Sequence, residues 1–137
     1  MVVIDTNVIY SSLLSQRGAS YLLLEQLSDS KFDFALSASL VFEYEEVLKR
    51  NIKNLQFTEN QLDEFLDSIV SLGKHYTSHF LWRPYLKDPK DDMVLELAVV
   101  ANAKYIITFN LKDFVGVDRF GIEVIELMSF LRRSKLL

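Results

Sequence analysis

At 137 residues, half of them apolar and a quarter charged, the chain can bury one compact core and is too apolar to be a disordered segment. The absence of cysteine excludes disulfides and thiolate-bound metals and fits a reducing cytoplasm. A net charge of −4, spread without an acidic or basic tail, argues against polyanion binding by a broad positive field, but leaves open a nucleic-acid substrate held through bound divalent cations.

The longest apolar runs are too short to span a bilayer. Met1 leads directly into an apolar strand, without the basic start of a signal peptide. The expectation is a single cytoplasmic domain over residues 1–137, with no membrane partner.

Val2-Val3-Ile4 runs straight into Asp5, the pattern of a buried parallel strand ending in a carboxylate. In open α/β sheets the carboxyl ends of the strands form the rim where sites are built. Capping the next helix is the alternative role for Asp5. Thr6 to Leu14 reads as a short helix with Val8, Ile9 and Leu13 inward, broken at Arg17-Gly18. Ala19 to Ser28 is a second, leucine-rich helix, and Ser28-Asp29-Ser30 turns the chain into a second strand, Phe32 to Leu36. Strand, helices, strand is the βαβ unit of a parallel sheet.

The next helix opens at Ser37 or Ser39 and carries Leu40, Val41, Tyr44, Val47 and Leu48 on one face. At about 100° per residue, Glu46 falls opposite that face, whereas Glu43 and Glu45 flank it and can lean over the rim of a core. Phe42 points outward, which suggests cover by another element or a partner. Thr58 to Gln61 forms a capping box for an amphipathic helix carrying Leu62, Phe65, Leu66, Ile69 and Val70, closed by Gly73.

Lys74 to Leu86 has no clear period; a short strand around His75 to Leu81 is the expectation. His75 and His79 have the spacing of a helical zinc pair, but Tyr76 replaces the Glu of a zincin motif and no third ligand is in view, which favours a structural or surface role. Trp82-Arg83-Pro84-Tyr85 suits base stacking, although such clusters more often anchor a core or a protein interface. Asp88 then caps the last long helix, with Pro89 at its first position, and Val94, Leu97, Ala98 and Ala101 inward. Tyr105 to Thr108 is a third strand, Asn110 to Phe114 a loop or helical turn, Ile122 to Ile125 the last strand, and Met128 to Leu131 a terminal helix. The basic groups Lys49, Arg50 and Lys53, and Arg132, Arg133 and Lys135, complement helix dipoles or touch phosphates.

Each strand end delivers polar groups to one rim: Asp5, Thr6 and Asn7 from the first, Ser37 and onward to Glu43 from the second, Thr108, Asn110 and Asp113 from the third. The helix starting at Asp88 feeds the third strand, so its N-terminus, with Asp91 and Asp92, lies near the same rim. Three or four carboxylates there repel one another unless protonated or bound to cations. Oxygen-only donors suit Mg²⁺ or Mn²⁺, which activate a water and neutralise phosphoryl charge during in-line displacement. The helix N-terminus also stabilises Asp88 and Asp91 as anions, so capping accounts for part of their role.

These blocks resemble PIN-domain ribonucleases. Asp5-Thr6-Asn7 after an apolar strand resembles the family's opening, and Ser37 followed by Glu43-Tyr44-Glu45-Glu46-Val47-Leu48 its second block. Asp88-Pro89-Lys90-Asp91-Asp92, with Leu95, Leu97 and Ala98 behind it, resembles the third, and Tyr105 to Thr108 with Asn110 and Asp113-Phe114 the fourth. The blocks occur in order across nearly the whole chain, and are similar to the branch described as toxins of toxin–antitoxin systems, related to VapC-type toxins.

The resemblance implies a three-layer α/β/α sandwich around a mostly parallel sheet, and an endoribonuclease dependent on Mg²⁺ or Mn²⁺. By position, Asp5, Glu43 and Asp91 are its acidic metal-site residues; Asp91 is preferred to Asp92 because it lies seven residues before Ala98, the family's spacing. The chain departs from the pattern at Asn110, where many members carry Asp, and Asp113 stands near enough in sequence to supply the missing charge. Thr6, Asn7 and Thr108 are then supporting groups that orient carboxylates or water, with Asp92 and Asn110 beside them. A small antitoxin protein would occlude the cleft and the chain would form a homodimer, with Phe42 and the leucine-rich second helix as contact surfaces.

Two other functions compete. A haloacid-dehalogenase-type phosphatase also begins with a strand ending in Asp, but needs a second Asp two residues on as its general acid, and Asn7 stands there. A response-regulator receiver needs a paired acidic motif after the first strand, and Met1 to Val8 holds only Asp5. A PIN-like module that binds without catalysis is the remaining alternative, supported by Asn110 and opposed by Asp5, Glu43 and Asp91.

Overall fold

β1 (Val2–Ile4) is buried at all three residues, and so is β4 (Tyr105–Ile107), its parallel partner. Burial on both faces explains why these strands are continuous Val, Ile and Tyr runs rather than alternating ones. The computed structural model describes residues 1–14, 19–29, 31–77 and 85–135. β4 pairs in parallel with β5 (Glu123–Ile125), and β2 (Ala35–Leu36) with β3 (Lys74–His75). A parallel bridge between Val2 and Phe34, with the Val2 N–H donating to the Asp33 carbonyl at 3.0 Å, joins the two pieces. The order is therefore β3–β2–β1–β4–β5, parallel throughout.

The chain steps outward from β1 to β2 through α1 (Thr6–Leu14) and α2 (Ala19–Ser28), and from β2 to β3 through α3 (Ala38–Arg50), α4 (Ile52–Leu55) and α5 (Glu59–Leu72). It returns to β4 through α6 (Pro89–Val100) and closes, after 3-10 turns at Leu111–Phe114 and Val117–Phe120, with β5 and α7 (Leu127–Arg133). Right-handed crossovers put the outward and returning helices on opposite faces, giving the α/β/α layers. Buried apolar side chains from every one of these strands except β3 join one core. α6 is buried from Asp92 through Ala98, nearly all the way round, because it lies against β1, β2 and β4 and also touches α3.

Several local expectations change. The second strand is two residues long, not five: Phe32 packs edge-on against Phe130 (centroids 5.1 Å apart) instead of entering the ladder. On α1 the inward position near the end is Ser12, whose hydroxyl donates to the Ile9 carbonyl at 2.5 Å, while Leu13 is half-buried. Gly73 closes α5 in an extended conformation (φ −78°, ψ 160°), so left-handed capping is not its role. A Cβ there would collide with Leu36 Cδ1 and lie 2.9 Å from Phe34 Cε2, so close approach to β2 requires the glycine. Arg17-Gly18, His79, Leu81 and Trp82-Arg83-Pro84 lie outside the described residues.

Candidate metal centre

β1 and β4 run in parallel register, and their polar ends meet where Asp5 leaves β1. Asp5 is 8% exposed, and each of its oxygens has a donor: the Thr6 N–H at 2.9 Å on Oδ1 and the Thr108 hydroxyl at 2.8 Å on Oδ2. Thr108, at the end of β4, is fully buried; its oxygen also accepts the Asn110 N–H at 3.0 Å and lies 3.5 Å from Asn7 Nδ2. Asn7 Oδ1 in turn lies 3.5 Å from the Phe109 N–H. The DTN opening and the strand end after β4 thus form one network. Its effect is to fix the Asp5 carboxylate, the part that supporting groups play around a metal ligand.

Glu43 comes from the third helix. The Ser37 side chain caps α3, accepting the Leu40 N–H at 3.2 Å, and Leu40, Tyr44 and Leu48 face the core. One residue before Tyr44, Glu43 is half-buried and accepts the Thr6 hydroxyl at 2.5 Å. Glu45 instead faces Lys49 at 3.9 Å, and Glu46 faces Arg50 at 3.5 Å on the exposed side. Beneath the pair, the buried Tyr44 hydroxyl donates to the Ile4 carbonyl. Burial first, then Asp5 and Glu43, hold that phenol far above its ordinary range, so it stays a donor.

The N-terminus of α6 supplies the other wall. Asp88 caps it, accepting the Lys90 N–H at 2.9 Å, with Pro89 following. Asp91 is half-buried, and its carboxyl is pushed up to about 7 by burial, then by Asp5, Asp88, Asp113 and Glu43 in that order. Asp5 is raised as well, by burial against the pull of Thr108 and Thr6, with Glu43 and Asp113 adding to the rise. These mutual influences bring Asp5, Glu43, Asp91 and the exposed Asp113 into one electrostatic neighbourhood.

Asp92 is not part of it. It is 2% exposed and turned back, with the N–H groups of Leu86 (2.7 Å) and Tyr85 (3.3 Å) on Oδ1. It ties the approach segment onto α6. Asn110 offers its backbone N–H to Thr108, while its side chain caps nothing in the turn that follows.

Lys90 escaped the sequence reading. Its Nζ lies 3.9 Å from Glu43 Oε1. A lysine in the first turn of a helix opposes the dipole, and that was the available signal of an acidic neighbour. His75 Nε2 pairs with the Val70 carbonyl at 2.8 Å, a structural contact. Lys49 reaches Asp63 at 3.3 Å, and Arg133 pairs with Glu123.

Oxygen donors alone match Mg²⁺ or Mn²⁺ in chemistry. Among the described residues no three acidic or imidazole groups already stand as a coordination shell. The donor set fits the ion in kind, without a ready-made cage. Beside Asp91 and Asp113 opens a cleft of about 690 Å³, with Asp88, Lys87 and Lys112 also on its walls.

Parallel strands with interleaved helices and carboxylates gathered near the strand ends define an α/β protein with an acidic site at the rim of its sheet. Residues 1–112 match the PIN domain family, and the chain belongs to it. PIN domains are generally metal-dependent nucleases. No curated protein matches the chain significantly. Nothing supports the phosphatase alternative; where it needs an acid, Asn7 joins Thr108 and the Phe109 backbone.

Proposed function

We propose that the chain acts as a single-domain, divalent-metal-dependent endoribonuclease that hydrolyses RNA phosphodiester bonds. The carrying observation is Asp91, whose carboxyl is raised to about 7 by burial and four neighbouring carboxylates. A site that crowds anions until one holds a proton is a site short of a cation. In this reading Asp5, Glu43 and Asp91 hold Mg²⁺ or Mn²⁺, with Asp113 completing the charge that Asn110 does not supply. The bound ion supplies a nucleophilic water and neutralises charge on the phosphoryl group. Thr108 and Thr6 keep Asp5 in place, Thr6 also holds Glu43, and Lys90 lies 3.9 Å from Glu43, where a bound cation would compete with it.

The chemistry of Asp5→Asn tests this reading. It removes the central charge with little change in volume. Cleavage of single-stranded RNA should fall by about 100-fold or more, at or beyond the top of the range for groups that only support a ligand, with an unchanged circular dichroism spectrum. Cleavage at the wild-type rate overturns the assignment.

A binding module without catalysis is the second reading, favoured by neutral Asn110 and by the lack of a preformed shell among the described residues. Calorimetric titration with Mn²⁺ above pH 7 separates the two: absence of binding to the wild type favours the module. We further propose that the nuclease is the toxin of a cytoplasmic toxin–antitoxin pair, a homodimer whose cleft a small antitoxin covers. Support comes from the similarity of its motif blocks to that branch and from Phe42, 71% exposed on α3. Mass measurement of the purified protein, alone and after co-expression with its chromosomal neighbour, tests both parts.

A further inference from the structure

The cleft beside Asp91 and Asp113 has an apolar side that the metal chemistry does not use. Tyr85 lines it, half-buried, and is held from several directions. Its backbone N–H is tied to Asp92, its hydroxyl donates to the Gly116 carbonyl at 3.2 Å, and Arg119 donates to the same hydroxyl at 3.2 Å. Phe120 meets the ring edge-on with centroids 5.4 Å apart. Gly116 has φ of +94°, a conformation that suits glycine and turns its carbonyl toward the tyrosine. Facing the same cleft is Val115, 76% exposed and the most exposed large apolar residue among the described ones. Exposed Lys87 and Lys112 stand at the walls.

A fixed aromatic ring, an uncovered valine and two ammonium groups next to a phosphodiester-cleaving site form a composite surface. A flat apolar heterocycle linked to phosphates matches it. We propose that Tyr85 and Val115 form a subsite that holds one unpaired nucleobase beside the scissile phosphate, with Lys87 and Lys112 meeting the adjoining phosphates, so that the substrate is single-stranded at that nucleotide. The inference rests on the nuclease reading above. Stacking on aromatic side chains tolerates any base, because every base has a π-face, so this subsite selects unpaired structure rather than sequence. The bonds that fix Tyr85 mean that little side-chain freedom is lost when a base lands on it.

The experiment uses a single-stranded oligoribonucleotide containing 2-aminopurine, bound to Asp5→Asn protein so that cleavage does not intervene. Binding should quench the fluorophore. Adding Tyr85→Ala should abolish the quench and weaken binding by about tenfold, within the range for one lost base stack. Tyr85→Phe, which keeps the ring and loses the hydroxyl contacts, should retain the quench. Val115→Ser, at a residue too exposed to matter for folding, should give a smaller loss in the same direction. In the cleaving protein, Tyr85→Ala should raise KM with little change in kcat, and a fully paired RNA of the same sequence should compete poorly. Unchanged affinity and quench in both Tyr85→Ala and Val115→Ser overturn the subsite while leaving the nuclease intact. If Asp5→Asn protein binds no oligonucleotide, the subsite falls, and the wild-type cleavage assay then decides separately whether the nuclease reading falls with it.

Discussion

On the strand-end wall of the acidic site, Asp5 and Glu43 each accept a threonine hydroxyl and sit in a lattice of backbone and side-chain bonds. On the wall made by the start of α6 and the turn after Asn110, Asp91 and Asp113 have no side-chain hydrogen bond or ion pair among the described residues, and Asp91 is half-buried among like charges. Bonded carboxylates keep their position whatever occupies the cleft; unbonded ones respond to it. In the proposed site the first wall would set where an ion sits, and the second would register whether it is there.

The largest contrast lies between two glutamates on one helix. Glu43→Gln should weaken Mn²⁺ binding by at least about tenfold, read by calorimetry. Glu45→Gln should leave it unchanged, since Glu45 faces Lys49. Equal effects from the two would mean that the Thr6 contact does not select the ligand.

A pH series probes the second wall. The carboxyl of Asp91 lies at about 7 when folded against an ordinary value of 3.8. Between those values the folded chain holds a proton that the unfolded chain has lost, so the unfolded state binds fewer protons and stability falls as pH rises. The contribution from this group is complete below 3.8 and lost as pH passes through about 7; Asp5, also raised, acts in the same sense. Thermal melts in chelator should therefore decline across that window. Mn²⁺ affinity should move the opposite way, falling by about tenfold per pH unit below the Asp91 value, because the ligand must lose its proton. Asp91→Asn should flatten the melting trend. A wild-type melting profile that climbs from pH 5 to 7 would contradict the crowding of carboxylates.

The smallest effect on the metal belongs to the neighbour of Asp91. Asp92→Ala should lower stability by about 1–3 kcal/mol, the cost of leaving buried N–H groups without an acceptor, and should leave Mn²⁺ affinity unaffected. Asp92→Asn, which retains an acceptor oxygen, should lose less. Denaturant titration measures both.

Much of this was legible from residue order. The VVI run, the Ser37 and Asp88 caps and the Thr58 capping box follow from local chemistry, and the structure carries each where the pattern puts it. Helical geometry alone set Glu46 aside and kept Glu43 with Glu45; the family resemblance favoured Glu43, and in the structure Glu43 is the one that accepts the hydroxyl of Thr6, 37 positions away in the chain. Asp91 and Asp92 could not be separated by local rules, since both suit a helix N-terminus. Their difference comes from the segment before the helix folding back to bond Asp92. The role of Gly73 was hidden for the same reason: its neighbours Leu36 and Phe34 arrive through tertiary packing. Periodicity carries faces and ends, whereas partners distant in sequence decide which polar group does what.

The central claim is that Asp5, Glu43 and Asp91 share one divalent ion. A crystal soaked in Mn²⁺ above pH 7, with data collected for the anomalous signal of the metal, tests it most directly. The account predicts one strong peak within bonding distance, about 2.0–2.2 Å by analogy with small octahedral cations, of carboxylate oxygens from all three residues. A fully soaked crystal with no peak among them, or with its only peak at another site, would contradict it.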